Sequence, residues 1–492
     1  MAHPLRARAQ RGAGLFTAAW LVAGPAVADP SIPAPGGPAG VAAVTPGPLA
    51  TSGSTDTTAQ ATTPQAPPTP APDALPAEQD YALHAQTTFT DQYHPAFASA
   101  YRGPNSLDPG SRGDETWDAT LYAGYRPWKG AEIWITPEVD QGFGLSDTLG
   151  VAGFTSGEAY KVGSAVPYVR IPQLFIRQTL DLGGEVQGVT PDQMTLGGTQ
   201  TADRLVLWLG KFSVVDVFDT NQFAHDPRGD FMNWAVIDSG AFDYAADAWG
   251  FTYGGAAEWY QDWWTLRAGL FDGSVTPNSK FLELPLLRQF QIDLEAEARY
   301  HLFGQTGKIK LLGYQTRAKL ATFSELLAFF AANPTENYVQ AESVRRLRNK
   351  YGGGLNIEQP ITADLGFFLR ASLDDGRTEA YDFTDIDRSL SMGLSLAGKS
   401  WGRPDDTVGL AGVVNNISKA RKDFLEQGGL GILVGDGKLT NAGPEQILES
   451  YYSIAVIKGV TVTADYQFVN NPGYNRDRGP VSILGGRLHI QF

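Results

Sequence analysis

Beyond Tyr81 apolar and polar side chains alternate along the chain in short segments, with little helical periodicity. The clearest case runs from Ile292 to Leu302: Ile292, Leu294, Ala296, Ala298, Tyr300 and Leu302 share one side, and Asp293, Glu295, Glu297, Arg299 and His301 the other. A period of two is that of a β-strand, so one face needs an apolar surrounding and the other needs water. The pattern recurs. Trp264, Leu266, Ala268 and Leu270 alternate with Trp263, Thr265, Arg267 and Gly269, and Val460, Val462, Ala464, Tyr466 and Phe468 with Thr461, Thr463, Asp465 and Gln467. The segment Val481–Phe492 sets Leu484, Gly486, Leu488, Ile490 and Phe492 against Gly485, Arg487, His489 and Gln491. A soluble sheet with one wet face satisfies any one of these segments. A closed wall with lipid outside and an aqueous lumen inside accounts for all of them, and a last strand with an apolar outer row leaves such a wall no free edge.

The connections sharpen this expectation. Short links at Pro127–Gly130, Tyr260–Asp262, Phe303–Gly307 and Lys458–Gly459 are interleaved with long ones at Asp140–Tyr168, Ser213–Asp247, Asp272–Arg288 and Phe323–Lys350. That is the layout of a transmembrane antiparallel outer-membrane β-barrel, with short periplasmic turns and long extracellular loops. At roughly 25 residues per strand and connection, residues 81–492 make about 16 strands, enough for an aqueous channel rather than a lumen filled by its own wall. One turn, Gly183–Ala202, is longer than the scheme wants, which suggests an inserted loop.

Composition adds limits. After the amino terminus no run of about 18 apolar residues occurs, so a helical membrane bundle is excluded. There is no cysteine, hence no disulfide and no thiolate chemistry, as suits passage through an oxidising periplasm. A net charge of −15 argues against nucleic acid as a partner. Arg6, Arg8 and Arg11 precede an apolar stretch from Ala13 to Ala23, and Ala26-Val27-Ala28 offers a small-residue cleavage site, so residues 1–28 read as a Sec-type signal peptide cut near Ala28. Residues 29–80 are rich in Pro, Ala and Thr and hold no Lys or Arg, which predicts a disordered periplasmic tail with room for contact with a partner.

The long loop Gly210–Asp243 is dense in charge and aromatics, which suggests a segment folded into the lumen. Its alternative is a solvated surface loop. A constriction that passes sugars needs hydrogen-bonding groups for the hydroxyls and aromatic faces for the C–H surfaces. Glu138, Arg177, Lys211, Asp226, Arg228, Asp230, Glu295 and Arg299 are candidates for the first, and Trp208 and Trp234 for the second. Each is also readable as a wall ion pair or a packed side chain. No cofactor is implied. The six histidines lack metal-ligand spacing and no G-x-S-x-G sequence is present, which disfavours an outer-membrane hydrolase. Residues 29–80 are too polar for a plug of the kind gated transporters carry. A general cation-preferring pore stays open as an alternative, since acidic groups concentrate cations.

Several stretches carry a resemblance: Tyr101-Arg102-Gly103-Pro104-Asn105-Ser106-Leu107, Gly142-Phe143-Gly144-Leu145-Ser146, Gly150–Phe154, Gly157-Glu158-Ala159, Phe175-Ile176-Arg177-Gln178-Thr179, Gly210-Lys211-Phe212-Ser213, Asp216–Asp219 and His225–Phe231. In order and spacing they resemble the carbohydrate-selective porins of the OprB family, over roughly Tyr81–Phe492. The resemblance implies a sixteen-stranded outer-membrane barrel through which glucose and related sugars diffuse without energy coupling. General porins of this size are often trimers, whereas the resemblance suggests that a monomer suffices, and no feature decides between them. The long Pro-rich tail departs from the simplest members.

Overall fold

The computed structural model describes residues 75–159, 163–333, 338–382 and 384–492. The proposed signal peptide and nearly all of the proposed tail lie outside these residues. Sixteen antiparallel strands form a closed barrel in which each strand pairs with its sequence neighbours and the first pairs with the last. They are β1 (Tyr81–His94), β2 (Arg112–Tyr125), β3 (Ala131–Gly142), β4 (Ser164–Val189), β5 (Gly198–Phe212), β6 (Thr252–Gln261), β7 (Trp264–Asp272) and β8 (Phe290–Leu302). There follow β9 (Gln305–Leu320), β10 (Arg346–Pro360), β11 (Leu365–Asp374), β12 (Arg388–Gly398), β13 (Arg403–Asn416), β14 (Glu445–Ile457), β15 (Val460–Asn470) and β16 (Val481–Gln491). The seam runs from Gln86 opposite Gln491 to Tyr93 opposite Leu484. It is extended by the Phe492 amide donating to the Ala85 carbonyl at 2.9 Å.

The burial pattern is inverted relative to a water-soluble protein. Along β8 Leu294 is 57% exposed while Asp293 is 0% and Glu295 3% exposed. Leu207, Leu266, Leu311, Leu410 and Leu484 stand outward in the same way on other strands. Such a surface is stable only against hydrocarbon, and closure of the sheet gives every strand a hydrogen-bonded neighbour on both sides. Exposed aromatics mark both rims: Tyr81, Tyr125, Trp128 and Trp263 near the short-turn end, and Tyr93, Tyr253 and Tyr351 near the long-loop end. No helix among the described residues is long and apolar enough to cross a membrane.

Short and long connections alternate around the ring as expected, with 303–304 and 458–459 at one end and 213–251 and 417–444 at the other. Two expectations need correction. The long turn at Gly183–Ala202 is no separate loop: β4 and β5 continue past the wall as a paired ribbon to Val189 and Gly198, leaving only 190–197 as the link. Glu78 and Gln79, assigned to the tail, are bonded to the barrel. Glu78 pairs with Arg126, and the Gln79 amide donates to the Gly197 carbonyl at 3.0 Å. The lumen is also fuller than an open tunnel. Phe218, Phe231, Trp234 and Phe242 from the 213–251 loop form an apolar cluster with the inward-facing Phe271, Phe368 and Tyr451.

The outward row yields a direct check. Leu294→Arg places a charge in the hydrocarbon layer and is expected to cost about 2–4 kcal/mol if it lies at the bilayer midplane. Urea unfolding from lipid vesicles measures this as a lower midpoint, and an unchanged midpoint would place the row elsewhere.

Candidate functional site

The 213–251 loop is held inside the barrel because wall side chains supply the partners that its backbone lacks. The Glu295 carboxylate accepts from the Asp219 amide at 2.9 Å, Glu358 from the Gln222 amide at 3.0 Å, and Glu449 from the Met232 and Asn233 amides. Arg370 donates to the Asp219 carbonyl at 3.0 Å and the Val236 carbonyl at 2.8 Å. Lys350, fully buried, lies 2.6 Å from Asp243 of the loop and 2.8 Å from Asp374 at the end of β11. These partners sit on β8, β10, β11 and β14, so the loop is stitched to more than one side of the lumen.

Near the turn 225–230, the loop meets β2 and β3. Asp230 organises this turn: its carboxylate accepts from the His225 amide at 3.0 Å and the Asp226 amide at 3.1 Å. Arg487 on β16 donates to the Asp230 carbonyl at 2.9 Å. Arg228 then reaches the wall. Its guanidinium donates to Glu138 at 3.2 Å, to Glu158 at 3.1 Å and to the Tyr122 hydroxyl at 3.3 Å, with Asp118 at 3.4 Å. Four oxygen partners around one guanidinium fix both its position and its plane. Beside it lies a recess of ≈ 220 Å³. Glu138, Asp226, Arg228 and Trp234 all line it, together with Tyr122 and Gln173. Trp234 is stacked on Phe154 with ring centroids 5.2 Å apart.

Four of the ten residues singled out from sequence therefore meet in one place. The other six do not. Asp230 shapes the turn. Glu295 anchors the loop and pairs with Arg267 at 2.8 Å. Arg299 pairs with Glu297 at 2.7 Å and donates to the carbonyls of Asp262 and Trp264, pinning the short turn between β6 and β7. Arg177 and Trp208 lie together nearer the short-turn end, the guanidinium 4.8 Å from the ring centroid, beside a second recess of ≈ 440 Å³. Lys211 is a correction. It shares its row on β5 with the exposed Leu207 and Leu209, so it points away from the lumen and pairs with Asp247 at 3.1 Å. The register of β5 separates it from the constriction.

Sequence reasoning missed Asp118, Tyr122, Glu158 and Gln173. Tyr122 and Asp118 follow from the alternation of β2, in which both belong to the inward row. Glu158 lies in the 143–163 connection, whose backbone is tied to the lumen by Glu445 on β14: Ala152 and Gly153 donate to it at 2.9 and 2.8 Å. No local pattern announces that contact. Among the described residues no group of three or more His, Asp or Glu is arranged to hold a metal ion.

Lys350 gives a test of the loop's anchorage. Lys350→Met leaves Asp243 and Asp374 buried and uncompensated, a change of about 3–5 kcal/mol. The expected result is faster proteolytic cleavage within 213–251 and noisier single-channel current; identical cleavage and noise would mean that the triad does not hold the loop.

The profile of the carbohydrate-selective porin, OprB family, matches residues 104–492. Among solved structures, the high-pH structure of Pseudomonas putida OprB is similar over 84% of this chain and 94% of its own, with 16% identity and a TM-score of 0.61, which shows a shared fold. The outer membrane channel DcaP of Acinetobacter baumannii is 11% identical over 84% of this chain and 97% of its own, with a TM-score of 0.44. A search of curated proteins returned no match.

Proposed function

The chain belongs to the carbohydrate-selective porin family OprB, and from that premise we propose that it passes glucose and related sugars by passive diffusion into the periplasm. The family and the closed barrel make it a channel protein of the outer membrane that admits sugars. The choice of monosaccharide and the absence of energy coupling are the proposal. By analogy with outer-membrane barrels, the short-turn end faces the periplasm and the long loops face outward.

The observation that carries this reading is the meeting of Arg228, Glu138, Asp226 and Trp234 at one recess. An ordered guanidinium between carboxylates presents donors and acceptors a few ångströms apart, as the hydroxyls of a pyranose do. Tyr122, Phe154 and Trp234 add apolar surface for its C–H faces. The hydrogen bonds exchanged are individually worth about 0.5–1.5 kcal/mol, which suits a permeant that must also leave. The partners in this reading are sugars within and lipid without.

A cation-preferring pore without sugar preference is the second reading, favoured by the acidic excess of the chain. Planar-bilayer recordings separate the two. Ion conductance is expected to fall as glucose is added, and liposomes carrying the protein are expected to swell faster in glucose than in a stereoisomer of equal size. Equal swelling rates with no block by glucose would leave a pore without sugar selectivity.

Arg228→Ala removes the bridge between the 225–230 turn and the wall. It should raise open-channel conductance, strengthen cation preference and weaken glucose block by about tenfold, the value of one charge-assisted hydrogen bond. Unchanged conductance and block would take the turn out of the permeation path.

A further inference from the structure

The β4–β5 hairpin continues past the barrel wall to a link at 190–197. Its ladder slips twice, between Asp181 and Gly183 and between Gly183 and Val186. Gly183 and Gly184 there have φ of +120° and +82°, a bend that side chains other than glycine resist. Beyond the bend the ribbon does not run straight on. Its tip is a tight turn closed by paired amide bonds between Asp192 and Thr195, of 3.0 and 3.1 Å, with Gln193 and Met194 at the centre.

That tip lies across the short-turn mouth. Arg177 donates to the Met194 carbonyl at 2.7 Å, Arg126 to the Gly197 carbonyl at 3.1 Å, and Leu196 is buried. The Gly197 amide donates to the Gln79 side chain at 2.7 Å. Gln193 reaches Gln491 of β16 at 3.3 Å, four strands around the ring from β4. Gln193 and Met194 thereby line the same recess as Arg228, Glu138 and Trp234, entering it from the opposite end of the barrel.

We propose that Gln193 and Met194 complete the sugar site, forming its periplasmic floor, and that Arg177 is the positioning residue that holds them there. The inference rests on the sugar-channel reading. An amide supplies both a donor and an acceptor to a hydroxyl pair, and a thioether is a soft, polarisable surface for a ring face. The constriction loop thus gives the charged half of the site and the hairpin the neutral half. Arg177 does not touch the permeant; its guanidinium is committed to Glu132 and to the hairpin carbonyl.

The absence of cysteine from the chain allows a direct test, because an introduced thiol is unique. Full-length protein carrying Gln193→Cys or Met194→Cys is reconstituted in bilayers and treated from the short-turn side with a charged methanethiosulfonate, the current reporting modification. Glucose is expected to slow modification about 3- to 10-fold at both positions, and Gln193→Ala to raise the half-blocking glucose concentration by a similar factor, as loss of one hydrogen bond would. Arg177→Ala should abolish the protection while leaving the thiol reactive. Glucose that blocks the pore but leaves modification rates unchanged at both positions would overturn the floor assignment and leave the channel reading standing. A pore indifferent to glucose would overturn both.

Discussion

Carboxylates that accept backbone amides hold this molecule together. A barrel wall satisfies its own N–H and C=O groups, but a loop folded into the lumen has no ladder to join, and an unpaired buried amide costs about 1–3 kcal/mol. Acids of the inward rows and of the loops themselves solve this. Glu445 takes the amides of Ala152, Gly153 and Gly473, Glu449 those of Met232 and Asn233, and Asp385 those of Leu433 and Val434. Asp243 takes those of Tyr381 and Asp382, and Glu379 that of Ala321. Each carboxylate holds backbone distant from it in sequence, and Glu445 joins two separate loop segments. The acidic excess is thus in good part architectural; even Asp226, which faces the recess, accepts the Arg228 amide at 2.9 Å with one carboxylate oxygen.

The same economy explains where the cations go. Lys350 sits between Asp243 and Asp374, Arg421 between Asp385 and Asp387, and Arg267 among Glu258, Glu295 and Glu297. These pairs are buried and fix geometry more than they add stability. Arg228 lies in a cluster of the same kind, beside the recess that Asp226 and Trp234 also line. A rigid guanidinium there presents an ordered surface without having to be ordered by each arriving molecule, which keeps the cost of contact low.

What could be read from sequence follows from this division. Period-two alternation exposes the wall directly, since lipid favours apolar side chains along the outer row: Leu294 against Glu295 is decisive in a way that a soluble strand is not. Strand number and the alternation of short and long links followed. Alternation gives a side, however, and not a depth or a partner. Glu138 and Glu295 look alike in sequence, yet one borders the recess and the other caps a backbone amide. Lys211 was assigned to the lumen through its neighbourhood in a charged loop, although its parity with Leu207 and Leu209 already placed it outside. The β4–β5 ribbon was misread because two glycines allow paired strands to leave the wall, and pairing across a bulge carries no period that a reader could follow. Contacts such as Arg228 with Glu158 join segments brought together only by closure of the whole ring.

Closure has a consequence in time as well as in space. The seam unites side chains 401 positions apart, such as Thr88 and His489, whose hydroxyl and imidazole lie 2.9 Å apart. The entropy of bringing such distant partners together has to be met before their contacts repay it. Until β16 docks, β1 presents a bare edge able to recruit any strand nearby, including that of another copy. Closure of the ring is therefore complete only once β16 pairs with β1, and the open edges that precede it favour association between copies.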